Sequence, residues 1–170
     1  MLDGLRVGAA CENRQTRRSS CLRPLMHELS MIRARPSRSA AVAFLEGEGL
    51  PVTDLIDEHL EQFFFVGSED APSGLVGLEI FGTDALLRSL AVAASARSQG
   101  LGTALVKHAE DHASAQGVRT IYLLTMTAQT FFERRGYRRA ERIQAPPSIQ
   151  STREFASLCP ASAAFMSKQL

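Results

Sequence analysis

Arg97-Ser98-Gln99-Gly100-Leu101-Gly102-Thr103 lies between an apolar strand-like run and the longest helix-like stretch of the chain. That position suits anion chemistry. The first amides of a helix have no partner within it, and the helix dipole leaves partial positive charge there. Glycines at 100 and 102 remove side chains, so a diphosphate can reach the backbone N–H groups. Thr103 adds a hydroxyl, and Arg97 a charge-assisted donor. A Gly-rich turn that merely packs helix on strand is the plainer alternative. A Walker A loop is excluded because Gly102-Thr103-Ala104 has no lysine, and a dinucleotide fingerprint because Leu105 stands where its third glycine belongs.

Other side chains carry chemistry of their own. Glu79 is an acid within the apolar run Leu75 to Ile80 and is the expected general base. A solvent-facing glutamate on an amphipathic strand is its alternative. Arg88 interrupts Leu86-Leu87 and Leu90, and a cation there must be paired or bind an anion. The expectation is that Arg88, with Ser89, holds a substrate anion; an internal ion pair between Arg88 and Glu79 is the competing reading. Cys159 has no histidine nearby in sequence to activate it and reads as packing. His108 and His112 share a helix face, but they sit among Lys107, Glu110 and Asp111 with no third ligand, so no metal site is expected.

These residues need elements to position them. Met31 to Arg35 alternates as a first strand, Ser37 to Gly47 reads as a helix, and Asp54 to Glu61 as a second. Phe63 to Val66, Leu75 to Phe81 and Ala85 to Ala93 form an expected antiparallel meander with polar turns between. Gly100 to Gln116 has helical periodicity and stops at Gly117. A strand over 121–124, a short helix over 128–135, a strand over 137–143, a small helix over 149–158 and a final strand over 162–170 complete the chain. The fold class is α/β (α+β), a mixed and mostly antiparallel sheet flanked by helices. Residues 1–30 are Arg- and Ser-rich without an apolar period and read as an N-terminal extension; residues 31–170 read as one domain.

The strand residues Leu90-Ala91-Val92 followed by the Arg97 to Gly102 loop resemble the acetyl-CoA motif of the GNAT acetyltransferases. Phe131-Phe132-Glu133-Arg134-Arg135-Gly136-Tyr137 resembles that family's later aromatic-Glu-x-x-Gly-aromatic segment. The resemblance implies a strand pair, the fourth and fifth, that splays apart, and acetyl-CoA as acetyl donor. Leu90, Ala91 and Val92 would lie along pantetheine, and Arg97, Ser98, Gln99, Gly100, Leu101, Gly102 and Thr103 around the pyrophosphate. Thr125 stands where the family often has a CoA-contacting asparagine, and Phe132 where it often has a tyrosine that protonates the thiolate; Arg134 and Arg135 would touch the CoA 3′-phosphate, with a solvated helix end as their alternative. With Phe132 in that place, the proton must come from elsewhere: Ser89, Tyr137, Cys159 or water. A narrower resemblance, carried by Ala85 to Leu90 and Thr152 to Pro160, is to GNAT proteins of arsenic-resistance gene clusters. It implies a small amino-acid analogue such as arsinothricin as acceptor.

Bulk properties fit that reading. The net charge is +1, with 19 basic and 18 acidic residues, which gives no field for nucleic acid or an anionic membrane. Cys11, Cys21 and Cys159 form no metal spacing or disulfide framework, and with no signal-like or membrane-spanning run a cytoplasmic protein is expected. The expected function is transfer of acetyl from acetyl-CoA to the primary amine of a small molecule. Alternatives are an acetyltransferase of protein or peptide amines and a CoA-binding regulatory module without catalysis. A homodimer is compatible with the superfamily, though no residue pattern here argues for one.

Overall fold

Strands β3 (Pro72–Phe81) and β4 (Asp84–Val92) form the longest hairpin of the molecule, turning through Gly82, whose φ is +64°. The computed structural model describes residues 32–170; the extension expected over residues 1–30 lies outside them. Before the hairpin come β1 (Arg33–Ala34), α1 (Arg38–Gly47), α2 (Asp57–Leu60) and β2 (Phe63–Gly67). After it come α3 (Leu101–Ala115), β5 (Thr120–Thr125), α4 (Gln129–Glu133), β6 (Arg138–Arg139), α5 (Pro147–Gln150) and β7 (Ala164–Gln169). These strands form one sheet in the order β1-β2-β3-β4-β5-β7-β6. Among the described strands only β4 and β5 run parallel, so the sheet is mixed and mostly antiparallel as expected.

Strand alternation divides the core between the two faces. Phe64, Val66, Val76, Leu78 and Leu87 pack with Leu105, Val106 and Ala109 of α3. On the opposite face Phe63, Phe65 and Leu75 meet Ala41 and Leu45 of α1 together with Leu55 and Leu60. Gly77 is needed there, because a Cβ would lie 2.3 Å from the Phe63 ring.

Several elements differ from the periodicity. The second helix is a single turn, Asp57–Leu60, because Asp54 is drawn into an ion pair instead of a helix N-terminus. The strand expected over 137–143 pairs with β7 only at Arg138 and Arg139, before a 3₁₀ turn over Arg142–Gln144. The helix expected over 149–158 divides into α5 and a separate π-helical turn, Glu154–Leu158. Thr152 makes the division: its hydroxyl donates to the Ile149 carbonyl at 2.8 Å and accepts from the Phe155 amide at 3.3 Å. Among the described residues no helix is long and apolar enough to cross a membrane.

Candidate active site

Strands β4 and β5 pair only from Asp84–Thr120 to Leu86–Tyr122, and β4 then continues to Val92 without β5 beside it. The opening between them is the expected splay. A further distortion precedes it: pairing with β3 steps from Gly77–Arg88 to Leu75–Ala91, so β4 holds one extra residue. Ser89 absorbs it with φ +54°, a left-handed conformation that costs a non-glycine residue about 1 kcal/mol. Bulges of this kind re-aim side chains, and here both Ser89 and Leu90 line the opening.

A groove of about 650 Å³ runs along one side of the opening. Leu90, Val92, Arg97, Ser98, Gly100, Leu101, Gly102 and Thr103 line it, together with Thr127, Phe131, Arg134 and Arg135. Gly100 is the N-cap of α3 with φ +85°, and no side chain caps the helix, so its first amides remain open to an anion. No atom lies within 4 Å of a Cβ built at Gly100, whereas one at Gly102 would touch the Phe131 ring at 3.4 Å. Gly100 is therefore favoured by conformation, whereas a Cβ at Gly102 would make only an ordinary contact with α4. Arg135 stacks its guanidinium 3.4 Å from the Phe131 centroid and donates to the Thr103 hydroxyl. Burial holds its pKa below the ordinary arginine value. Arg97 donates to the Val92 carbonyl at 2.9 Å and pairs with Glu48. This cradle of open amides, glycines and arginines fits the diphosphate of acetyl-CoA. The Ala91 side chain is buried in the α1-side core, and the Gln99 side chain donates to the Ser95 carbonyl at 2.9 Å.

On the other side of the opening lies a cavity of about 470 Å³, which shares Leu90, Thr127 and Ala128 with the groove. Leu50, Pro51, Leu87, Leu123, Met126 and Phe132 give it apolar walls, and Glu48, Arg88, Ser89, Thr125, Glu154 and Cys159 give it polar ones. Thr125 turns inward to accept the Ala128 amide at 3.0 Å, fixing the start of α4. Phe132 is 4% exposed and packs edge-on against Phe131 and Tyr137.

Arg88 has no exposed side-chain surface, and three carboxylates surround it. Asp54 takes it in a fork, with contacts of 2.6 and 2.9 Å; Glu79 lies at 2.5 Å from the same Nη1, and Glu154 at 3.3 Å from Nη2. The guanidinium is thus engaged by the protein itself, and a substrate anion would have to displace a carboxylate to reach it. The internal pairing of Arg88 with Glu79 is present in the structure. Glu79 does not line the cavity. Burial favours the neutral acid of Asp54, but the Arg88 hydrogen bonds and charge overcome it and hold the carboxyl below its usual range. Glu154 behaves oppositely: burial raises it to about 7 despite Arg88, with Asp54 and Glu79 adding repulsion.

Of the proton sources considered for a leaving thiolate, Ser89 and Cys159 line the cavity. Burial and then the charge of Glu154 push the Cys159 thiol up to about 11, so it holds its proton and is a poor nucleophile. Tyr137 is buried, absent from the cavity wall and shifted upward by burial and Glu110. Asp54 and Glu154 are the polar residues that sequence reasoning missed. The signal was the apolar setting of Arg88, which demands partners without saying where in the chain they lie. Among the described residues no group of His, Cys, Asp and Glu side chains is arranged to hold a metal.

Known proteins are similar to this chain in sequence or in fold. An uncharacterized N-acetyltransferase of Chlorobaculum tepidum is 32% identical over 107 residues, covering 61% of this chain and 68% of that protein. N-acetylglutamate synthase from Neisseria gonorrhoeae, solved with coenzyme A and N-acetylglutamate, superposes with a TM-score of 0.70 at 21% identity. That match covers 82% of this chain, which spans only 35% of the synthase. A Mycobacterium tuberculosis protein in complex with CoA superposes with a TM-score of 0.67 at 19% identity, over 82% of this chain and 99% of the other. The acetyltransferase (GNAT) family matches residues 26–137, a span that contains the splayed strands, the glycine loop and α4, and the chain belongs to that family.

Proposed function

We propose that this acetyl-CoA-dependent N-acetyltransferase acts on the primary amine of a small molecule. The observation that carries the reading is the cavity beyond the splay, which is of small-ligand size and meets the donor groove at Leu90, Thr127 and Ala128. Acetyl-CoA bound along the groove supplies an activated acyl group. The chain's own residues hold its diphosphate at the α3 amides, flank its arm with Leu90 and Val92, and line the acceptor side with apolar walls that exclude water. Placing donor and acceptor side by side converts a bimolecular reaction into one within a complex.

Phe132 has no proton to give, so the leaving thiolate takes its proton from the acceptor nitrogen, with Ser89 and Cys159 beside it on the cavity wall. Arg88 organises the acidic groups around it, a positioning role that replaces the anion-binding one expected from sequence. The acidic, arsenic-linked acceptor suggested by residues 152–160 meets no open cation on the described cavity walls, where the basic residue is the already paired Arg88; it remains one member of the test panel. The test is incubation of the purified protein with acetyl-CoA and a panel of amines, polyamines, acidic amino-acid analogues and a lysine peptide, with products read by mass spectrometry. N-acetylation of a small amine is expected. Modification of the peptide alone would overturn the reading.

A further inference from the structure

We propose that the carboxylate of Glu154 receives the acceptor's ammonium group and takes its proton, and that the preferred acceptor is therefore an apolar primary amine without an anionic arm. This rests on the small-amine reading above. Glu154 begins the single π-helical turn Glu154–Leu158, a feature frequent at functional sites. That turn brings its side chain, 9% exposed, to the wall of the acceptor cavity. Of the three acids around Arg88 it is the most loosely held: its contact is 3.3 Å, against 2.6 Å for Asp54 and 2.5 Å for Glu79. It is also the one of the three that lines the cavity. Asp54 and Glu79 face Arg88 from the loop before α2 and from β3. They satisfy the guanidinium and leave Glu154 available.

Charge and proton affinity agree with the placement. Arg88 carries one positive charge against three carboxylates, so an incoming cation reduces the excess of negative charge and an incoming carboxylate adds to it. The groups facing Glu154 are Arg88, Asp54, Glu79 and Cys159, and their net effect with burial brings its pKa to about 7. A base poised there is about half ionised at neutral pH, and its ionised form is strong enough to accept a proton. In the step, the ammonium passes one proton to Glu154. The nitrogen lone pair then forms the C–N bond as the thioester C–S bond breaks. The second proton on nitrogen leaves to the thiolate, and the proton on Glu154 returns to solvent.

The test compares wild type, Glu154→Gln, Glu154→Asp and Glu79→Gln on hexylamine and aminohexanoate across pH 5.5 to 9.5. In wild type, kcat/KM for hexylamine falls below about pH 7, where the base becomes protonated. Glu154→Gln lowers kcat/KM by about 100-fold or more and abolishes that acidic limb, as expected for loss of a general base. Acetyl-CoA affinity stays unchanged, and Glu154→Asp restores part of the limb. Hexylamine exceeds aminohexanoate by about tenfold in wild type, the scale of one unfavourable charge contact at moderate dielectric. A Glu154→Gln enzyme that keeps both the limb and the rate, or a preference for aminohexanoate, overturns the proposal. If no small amine is acetylated, the small-amine reading itself falls. Glu154 is then judged by ¹³C NMR of its carboxyl group: titration near neutrality with a shift on adding hexylamine supports the site, and titration below pH 5 with no shift overturns it.

Discussion

Arg88 and Asp54 meet in a two-point fork, Nη1 to Oδ2 at 2.6 Å and Nη2 to Oδ1 at 2.9 Å, with both side chains essentially excluded from solvent. The pair joins residues 34 apart in sequence and ties the loop before α2 to the bulged strand. Removing Asp54 leaves Arg88 its contacts with Glu79 and Glu154 but takes away the fork's hydrogen bonds to a charged group, a loss of about 1.5–3 kcal/mol. Asp54→Leu is therefore expected to lower unfolding free energy by about that amount in urea titrations, with a smaller loss for Asp54→Asn. An effect under about 1 kcal/mol, the range of exposed ion pairs, would mean that the fork carries little of the fold.

The two acids on either side of Arg88 should give opposite pH signatures. The folded pKa of Asp54 is depressed. Its stabilising contribution is present above the unfolded value and disappears as pH falls through the folded one. The folded pKa of Glu154 is raised from 4.5 to about 7, so the folded state holds the proton more tightly over that window. Its contribution is full below the unfolded value and is lost as pH rises to about 7, an effect on the order of 3 kcal/mol. Unfolding free energy of wild type, compared with Glu154→Gln at each pH, should fall between about pH 4.5 and 7. A flat difference would contradict the raised pKa.

Gly100 and Gly82 offer a matched comparison at the glycine loop. Both have positive φ, +85° and +64°, and open space where a Cβ would stand, so valine at either site costs about 1–2 kcal/mol of backbone strain. Only Gly100 stands at the N-terminus of α3. Gly100→Val should therefore weaken acetyl-CoA binding by about tenfold or more, the cost of roughly one charge-assisted hydrogen bond. Gly82→Val should leave it unchanged by calorimetry. Equal loss in both variants would trace the effect to strain alone.

Cys159 should react slowly. With its pKa pushed up to about 11, the thiolate is a minute fraction at neutral pH. Iodoacetamide labelling of the Cys159 peptide, followed by mass spectrometry, should be much slower than for a free thiol and should accelerate above pH 9. Cys159→Ala should retain turnover within about threefold, whereas a covalent nucleophile would lose about 100-fold or more.

Much of the fold was legible in the residues because one physical signal dominated each element. The α3 helix has five residues buried on one face and follows from periodicity, while the β2–β4 meander follows from apolar runs separated by polar turns. The glycine loop was legible because glycine spacing at a helix start has few uses. The polar cluster was hidden for a different reason. Arg88 announced a need for partners, but Asp54 and Glu154 come from segments 34 residues before and 66 after it, and only the folded sheet brings them together. The π turn at Glu154 was equally hidden, since the local sequence reads as plain helix until Thr152 redirects the backbone. Thr125 and Phe132 lie at the acceptor cavity, a placement that depends on where the splay opens.

Acetyl transfer to a small amine is the proposal on which the others depend. Thiol release from acetyl-CoA by the purified protein, measured with hexylamine and with a lysine peptide at equal concentration, tests it without intermediaries. Amine-dependent release is expected, with a higher kcat/KM for the small amine. Release that depends only on the peptide, or tight acetyl-CoA binding without release for any acceptor, would contradict it.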